Sequence, residues 1–533
     1  MSLIEARRNR NWIGCIDFGT AMSKAAVVRR KPRTELTSAD VVPLAIGHRD
    51  GVGVLSGLLL PSVVYVSDQG TILFGKEAED AAIRGERRNR QAFVSPKEYL
   101  STRDPGALDE VLEWEIDPTG DFTGRKLLAL FLAHLLVQAG RAAAIANVPW
   151  PVPLRITRPA WDEERAVAGE LALRSLVLQA FAIADRLGSQ LSAAGGITHD
   201  AARSALAAVM SDQRFLDPAA LPDVFELSPN GSASVLEATA VAAGAIGDTR
   251  RRVVVVADIG GGTSDFGAFM TGLPGRGVLG EVDGSSGILR LAGDRLDVLL
   301  KFYIFKQARI DPFDSGSKGV VAHVRANQRA FKEALFTTGR LTIELVDNFL
   351  TIRKEDFLAS PDVQEFARLL RSTFHDTLER GVACARENQL QGRRTPVEAL
   401  LTGGGRSLPM VTDFITDPPL PIRLDEASPE IPEGPLDQTF MDLRPQLAVA
   451  IGGAVMDLPH QTARVRIRDV VDATARTVHK TANALNTVRG IVDAAQAVHD
   501  GAPRANPPPA ANASGPARVP SPAVPPPSQP AEP

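Results

Sequence analysis

The chain runs to 533 residues, 44% apolar and 23% charged, a balance that allows several domains and a large buried core. Its formal net charge of −4 excludes a strong global field toward nucleic acid or an anionic membrane surface. The two cysteines, Cys15 and Cys384, are far apart, which argues against a disulfide scaffold and suits a reducing compartment. Met1 to Arg10 is basic but leads into no apolar signal core, and the greasiest stretch, Leu127 to Val137, is too short to span a bilayer. A soluble, cytoplasmic protein with no membrane span and no nucleic-acid partner is expected.

The first predicted strand is Trp12 to Asp17, ending at a turn around Gly19. A second β-branched run at Ala25 to Val28 suggests a hairpin. Pro61 to Val66 and Thr71 to Gly75 read as a further strand pair with a polar turn between them. Lys126 to Ile145 is apolar at helical spacing, and Pro153 to Ile156 is a short strand stopped by Pro159. Glu163 to Met210 is rich in Ala and Leu and reads as mostly helical. Val253 to Ala257 has the continuous apolar character of a strand buried on both faces, and it runs into Gly260-Gly261-Gly262. Ala399 to Thr402 is a shorter apolar strand that enters a second cluster, Gly403-Gly404-Gly405. Strands that end in glycine turns and pass into helices predict an α/β architecture. Thr462 to Asp500 lacks proline, and Val471, Val478, Leu485 and Val492 recur every seven residues, which predicts one long amphipathic helix. From Gly501 onward twelve of 33 residues are proline, so the tail cannot bury a core and is expected to be disordered.

Three glycine loops carry the chemistry. Asp17-Phe18-Gly19-Thr20 places a carboxylate at the end of a buried strand. The glycine lets backbone approach a phosphate, and the hydroxyl can donate to its oxygens. Taken alone, the same four residues close many hairpins. Asp258-Ile259-Gly260-Gly261-Gly262-Thr263-Ser264-Asp265 repeats that grammar and adds a second carboxylate. Two copies suggest two related lobes facing one nucleotide, with Asp17 and Asp258 holding Mg²⁺ mostly through water. A tight capped glycine hairpin is the plainer alternative. Gly403-Gly404-Gly405-Arg406-Ser407 would let backbone lie against an adenine ring or ribose, and would equally serve as a helix cap. The eight histidines are scattered and form no zinc-type pattern with the cysteines; His134, on an apolar helix, reads as a satisfied core histidine. Arg84, Arg87, Arg88 and Arg90 read as a solvated helix face.

Ile16 to Val28, Val254 to Asp265 and Leu400 to Pro409 resemble, in order, the phosphate-1, phosphate-2 and adenosine motifs of the heat-shock-70 and actin ATPases. Secondary likenesses fall between and after them. Pro61 to Gly75 resembles the strand pair that opens the upper part of the first lobe, and Lys97 in Phe93-Val94-Ser95-Pro96-Lys97 matches the catalytic lysine of the chaperone ATPases. Pro159-Ala160-Trp161, Glu237-Ala238-Thr239-Ala240, Gly293-Asp294-Arg295-Leu296-Asp297 and Ala448 to Gly452 follow in the family's order. The resemblance implies an α/β protein of two actin-like, ribonuclease-H-like lobes around a nucleotide cleft. The first lobe would take 1–250, with an upper subdomain about 36–117 and a helical insertion about 165–230. The second would take 251–460, with a return segment near 440–460, followed by the helix 461–500 and the tail 501–533.

The resemblance further implies ATP or ADP bound with Mg²⁺ and slow hydrolysis. Gly19, Thr20, Gly260, Gly261, Gly262 and Thr263 would hold the phosphates, and Asp17 and Asp258 would orient metal-bound waters. Lys97 would place the attacking water and offset charge on the γ-phosphate, Glu237 and Asp265 would orient that water or the metal shell, and Thr263 would donate to the γ-phosphate. Gly403, Gly404, Arg406 and Ser407 would border the adenosine, with Lys332 and Glu333 near the ribose and adenine. Phosphoryl transfer needs mostly positioning and charge neutralisation, which these groups could supply. A solvated surface lysine at 97, a helix cap at Glu237 and an exposed helix face at Lys332 and Glu333 are the plain alternatives. Ala21 stands where the chaperones carry a second Thr, which removes one hydroxyl. No set of short alternating strands follows Gly452, so the peptide-binding β-sandwich of a complete chaperone is not expected. The expectation is a chaperone-like ATPase read by a protein partner through the C-terminal helix or the helical insertion. A filament-forming actin-like ATPase and a small-molecule kinase of the same superfamily are the alternatives. Removing residues 501–533 is expected to leave the melting temperature and ATP affinity unchanged in scanning fluorimetry and calorimetry; a clear drop in melting temperature would mean that the tail buries apolar surface.

Overall fold

The computed structural model describes residues 3–47, 57–85, 90–159, 161–217, 222–246, 250–271, 279–312, 314–345, 349–389, 394–427, 438–459 and 466–468. The chain opens with an antiparallel hairpin, β1 (Trp12–Asp17) and β2 (Met22–Arg29), and β3 (Val41–Leu44) pairs with the far side of β2. β2 is longer than the predicted Ala25 to Val28 because the turn consumes only residues 18–21, and its first two residues pair with β4 (Leu60–Pro61). β5 (Val63–Val66) pairs with β6 (Thr71–Phe74) in a separate small sheet; α1 (Gly75–Gly85) packs on both, and β7 (Phe93–Val94) extends the sheet. After α2 (Pro96–Thr102), the Thr123 side chain caps α3 (Gly124–Ile145) by accepting from the Lys126 amide. β8 (Leu154–Thr157) then runs parallel to β1. Asp162 caps α4 (Glu163–Leu187) in the same manner. The predicted helical run to Met210 is broken where Gly188, Gly195 and Gly196 all take positive φ. There β9 (Ile197–Thr198) pairs with β6 before α5 (His199–Met210), so the predicted insertion is stitched to the small sheet. β10 (Ser234–Val235) and α6 (Glu237–Ala245) close this half, whose main sheet runs β10-β8-β1-β2-β3.

The second half repeats the plan. β11 (Val253–Ile259) and β12 (Ser264–Thr271) form the hairpin, and β13 (Leu279–Glu281) and β14 (Gly287–Leu289) both pair with β12. α7 (Gly293–Ala308), α8 (Lys318–Thr338), the hairpin of β15 (Arg340–Glu344) and β16 (Phe349–Arg353), α9 (Lys354–Leu358) and α10 (Pro361–Glu387) follow. β17 (Val397–Thr402) is parallel to β11 as β8 is to β1, and it leads through α11 (Pro409–Thr416) to β18 (Asp425–Glu426) and α12 (Gln438–Gly453). The sheet reads β18-β17-β11-β12-β14, with β19 (Arg466–Arg468) added beside β14. Residues 466–468 were expected to be helical; Arg-Ile-Arg alternates with a period of two, which suits the strand observed. Met1–Val470 is one compact unit. The rest of the predicted 461–500 helix and the 501–533 tail lie outside the described residues.

β11 is buried along its whole length and serves two cores by alternation. Val253, Val255 and Ala257 pack with α7 and α10, whereas Val254 and Val256 join Cys15, Ala26 and Val28 of the first sheet around α6 and α12. The two helices therefore lie between the two sheets, and they cross at glycine. A Cβ on Gly452 would stand 1.8 Å from the Ala240 carbonyl oxygen, and one on Gly244 would stand 2.7 Å from the Gly452 Cα. Beyond the crossing, Arg155 donates to the carbonyls of Gly453 (3.0 Å) and Val455 (2.6 Å), and Arg33 donates to those of Ile246 and Asp457.

α3 (Gly124–Ile145) and the stretch Glu164–Ser192, which carries α4, are long and apolar enough to cross a bilayer by length and composition; 67% of the most apolar part of each is buried, and they pack on each other in the first core. His134 on α3 stacks on Phe74 at 4.8 Å and lies 2.6 Å from the Leu191 carbonyl through Nδ1; burial lowers its pKa to about 4, which leaves the ring neutral. Arg90 departs from the solvated face expected of it. It is buried, donates to Asp68 at 2.6 Å and to the Val66 carbonyl at 2.7 Å, and lies over the rings of Tyr65 and Trp114. Arg84 is exposed at the end of α1, and Arg87 and Arg88 lie outside the described residues.

Gly452→Ala is expected to cost about 1–3 kcal/mol, because the new methyl meets backbone that cannot swing aside. Gly319→Ala, where a Cβ meets nothing within 4 Å, is expected to be neutral or to stabilise by up to ~1 kcal/mol. Urea midpoints check both, and native-like stability of Gly452→Ala would mean that the two helices are free to part.

Candidate functional site

The three glycine loops meet at one cavity of about 210 Å³ between the two sheets. The first loop is the β1–β2 turn, so tight that a Cβ on Gly19 would lie 2.0 Å from the Met22 carbonyl oxygen. The second is the β11–β12 turn, closed by the Gly260 amide donating to the Thr263 carbonyl at 3.0 Å. These turns touch: a Cβ on Gly261 would meet the Ala21 methyl at 2.6 Å, and one on Gly262 would meet the Thr20 side chain at 2.5 Å. The third loop lies against the second. Gly403, with φ +82, would bring a Cβ to 2.7 Å from Asp258 Oδ1, and the Gly405 amide donates to the Ile259 carbonyl at 2.9 Å.

Asp17, Gly19, Thr20, Glu237, Asp258, Gly260, Gly261, Thr263, Lys332, Glu333, Gly403 and Gly404, all singled out in the sequence, line this cavity. Lys97, Asp265 and Gly262 do not line it but contact groups that do. Lys97 is buried and ion-paired with Glu237, which excludes the solvated surface lysine. Lys332 donates to the Gly293 carbonyl at 3.0 Å and to Asp297 at 2.9 Å, while Glu333 is paired with Arg329 at 3.1 Å near the exposed end of the cleft. Arg406 and Ser407 are brought elsewhere. Both are exposed, and Arg406 lines a neighbouring, mostly apolar cavity of about 230 Å³ whose walls include Val241, Leu400, Phe440 and Ile451. The two cavities are of similar size, but the carboxylates and lysines gather at the other one.

Several members were not singled out as site residues in the sequence. Lys24 donates to Asp17 Oδ2 at 2.7 Å, and Thr157 to Asp17 Oδ1 at 3.2 Å; Asp294, Arg329, Gln446 and Val449 also line the cavity. The hairpin register could have found Lys24, since it stands opposite Asp17 just as Asp265 stands opposite Asp258. Thr157 follows only from the parallel pairing of β8 with β1.

Four carboxylates, Asp17, Glu237, Asp258 and Asp265, thus share the site with two ammonium groups, Lys24 and Lys97. Burial by itself would lower both lysine pKa values, but Asp17 beside Lys24, and Glu237 and Asp17 beside Lys97, more than offset it. Burial, then Glu237 and Asp265, push Asp258 well above the usual carboxylate range. Asp265 is raised to about 8, first by burial and next by Glu237, against the pull of Lys97 and the Thr263 hydroxyl. Its Oδ2 atom has no hydrogen-bond partner among the described residues. The second sheet therefore presents carboxyl groups poised for a positive partner.

No protein-family model matches the sequence, and no curated protein matches it either.

A carboxyl whose pKa is higher folded than unfolded binds more protons in the folded state, so stability falls as pH rises through the interval between the two values. For Asp265 that interval runs from 3.8 to about 8. With EDTA and no nucleotide, the denaturation midpoint is expected to decline as pH rises across it, and Asp265→Asn to flatten the decline. An unchanged slope in the variant would assign the titration to another group.

Proposed function

We propose that the chain is a magnesium-dependent, ATP-binding and ATP-hydrolysing switch of the heat-shock-70 and actin class, in which two related lobes close on one nucleotide. The meeting of three glycine loops, from two sheets of matching strand order, at one cavity with paired carboxylates and lysines carries this reading. Glycine at 19, 260 and 261 lets phosphate oxygens come up to backbone on both sides of the cavity. Lys24 and Lys97 offset the phosphate charge. Glu237, paired with Lys97, orients the attacking water, and Thr263 donates to the terminal phosphate. Lys332, Glu333, Gly403 and Gly404 border the nucleoside end, whereas Arg406 and Ser407 are left without a role in it.

The unpartnered Asp265 oxygen and the upward shifts of Asp258 and Asp265 fit a site completed by a cation. Among the described residues no cluster of three His, Cys, Asp or Glu forms an all-protein cage, which suits an ion that keeps most of its water. Magnesium, held mostly through water by Asp17 and Asp258, would supply charge neutralisation to the phosphates. The relative position of the lobes is the signal a protein partner would read.

Single-turnover hydrolysis of ATP, paired with nucleotide-binding calorimetry, tests the reading. Lys97→Ala is expected to lower hydrolysis by about 100-fold or more with binding retained. Asp258→Asn is expected to weaken magnesium-dependent hydrolysis more than nucleotide binding. A native chain that neither binds nor hydrolyses ATP would refute the assignment.

A further inference from the structure

Thr157 is the last residue of β8 and is fully buried. A threonine hydroxyl has one proton to give and two lone pairs to receive, and here all three are used. It donates to Asp17 Oδ1 at 3.2 Å and accepts from the Phe18 amide at 2.9 Å and from Lys97 Nζ at 3.5 Å. Asp17 in turn takes Lys24 on its other oxygen, and Lys97 takes Glu237. One hydroxyl thus joins the chain Lys24–Asp17 to the chain Lys97–Glu237.

The fold does not force this arrangement. Thr402 holds the matching place in the second sheet, at the end of β17 and opposite Asp258, yet its hydroxyl donates to the Pro445 carbonyl at 2.6 Å. The same strand position therefore serves a helix in one half and a carboxylate–lysine pair in the other.

We propose that Thr157 is a positioning residue that fixes the Asp17 carboxylate and the Lys97 ammonium relative to one another, so that the metal-facing and water-facing groups are set as one unit. The two roles rest on the ATPase reading above; the coupling of Asp17 to Lys97 does not. Thr157→Val deletes the hydroxyl at nearly constant shape, Thr157→Ser keeps it, and Thr157→Ala stands in should the valine variant fail to fold.

Two measurements separate the claims. The first is acylation of Lys97 by acetic anhydride in the native fold, followed by peptide mass spectrometry across pH. The second is the Mg²⁺ dependence of single-turnover hydrolysis. Thr157→Val is expected to label at Lys97 at least about threefold faster than the native chain, and to hydrolyse ATP roughly 10- to 100-fold more slowly with a raised Mg²⁺ requirement and little change in ATP affinity. Thr157→Ser is expected to track the native chain in both assays. Native-like labelling in Thr157→Val, or equal defects in the serine and valine variants, would overturn the proposal. If the native chain proves inert toward ATP, the functional reading falls and the labelling comparison alone decides the role of Thr157.

Discussion

The spacing of the two sheets depends on how closely α6 and α12 approach. At their crossing the backbone of Gly452 lies against the Ala240 carbonyl and that of Gly244 against Gly452, with no room for a Cβ on either glycine. Close contact between helices needs small residues, and α6 supplies them in Ala238, Ala240, Ala242 and Ala243, all buried. Because the two sheets pack on this helix pair, the crossing sets the distance between the sheets and so between the loops they present. The same helices also contribute to the cavity wall, through Glu237 at the start of α6 and Gln446 and Val449 on α12.

On that frame the two halves present equivalent hairpins with different chemistry. Asp17 faces Lys24 across the first hairpin, and Asp258 faces Asp265 across the second, each pair seven positions apart. The first half adds another amine, Lys97, and pairs each lysine with a carboxylate, Lys24 with Asp17 and Lys97 with Glu237. The second half brings two carboxyl groups whose pKa values burial, and next the Glu237 carboxylate, push upward. A repeated scaffold thus carries two ion pairs on one side of the site and two carboxyl groups on the other.

The strands that end in glycine were legible because hydrophobic runs and glycines are local signals. Val253 to Ala257 could be read as buried on both faces before its two cores were known. Groups assembled by distant pairing were not legible: Thr157 reaches Asp17 across 140 residues of chain. Arg90 sits in a basic run and gives no local hint that Asp68, the Val66 carbonyl and two aromatic rings enclose it. Arg406 and Ser407 lie away from the cavity for another reason, since the sequence of a glycine-rich turn does not say to which side its next side chains will point. The short strand at 466–468 was absorbed into a helical pattern that begins nearby, although its own alternation favours a strand.

The location of α12 near the C-terminal end of the compact unit also constrains how the protein can be made. The cavity takes residues from Asp17 to Val449, and its third loop is fastened to α12 by the Gly403 amide and the Thr402 hydroxyl, both donating to the Pro445 carbonyl. During synthesis the first sheet can pair early, but neither the helix crossing nor the closed cavity can exist until α12 has left the ribosome. The cavity is therefore built from contacts far apart in sequence, the kind that slow folding.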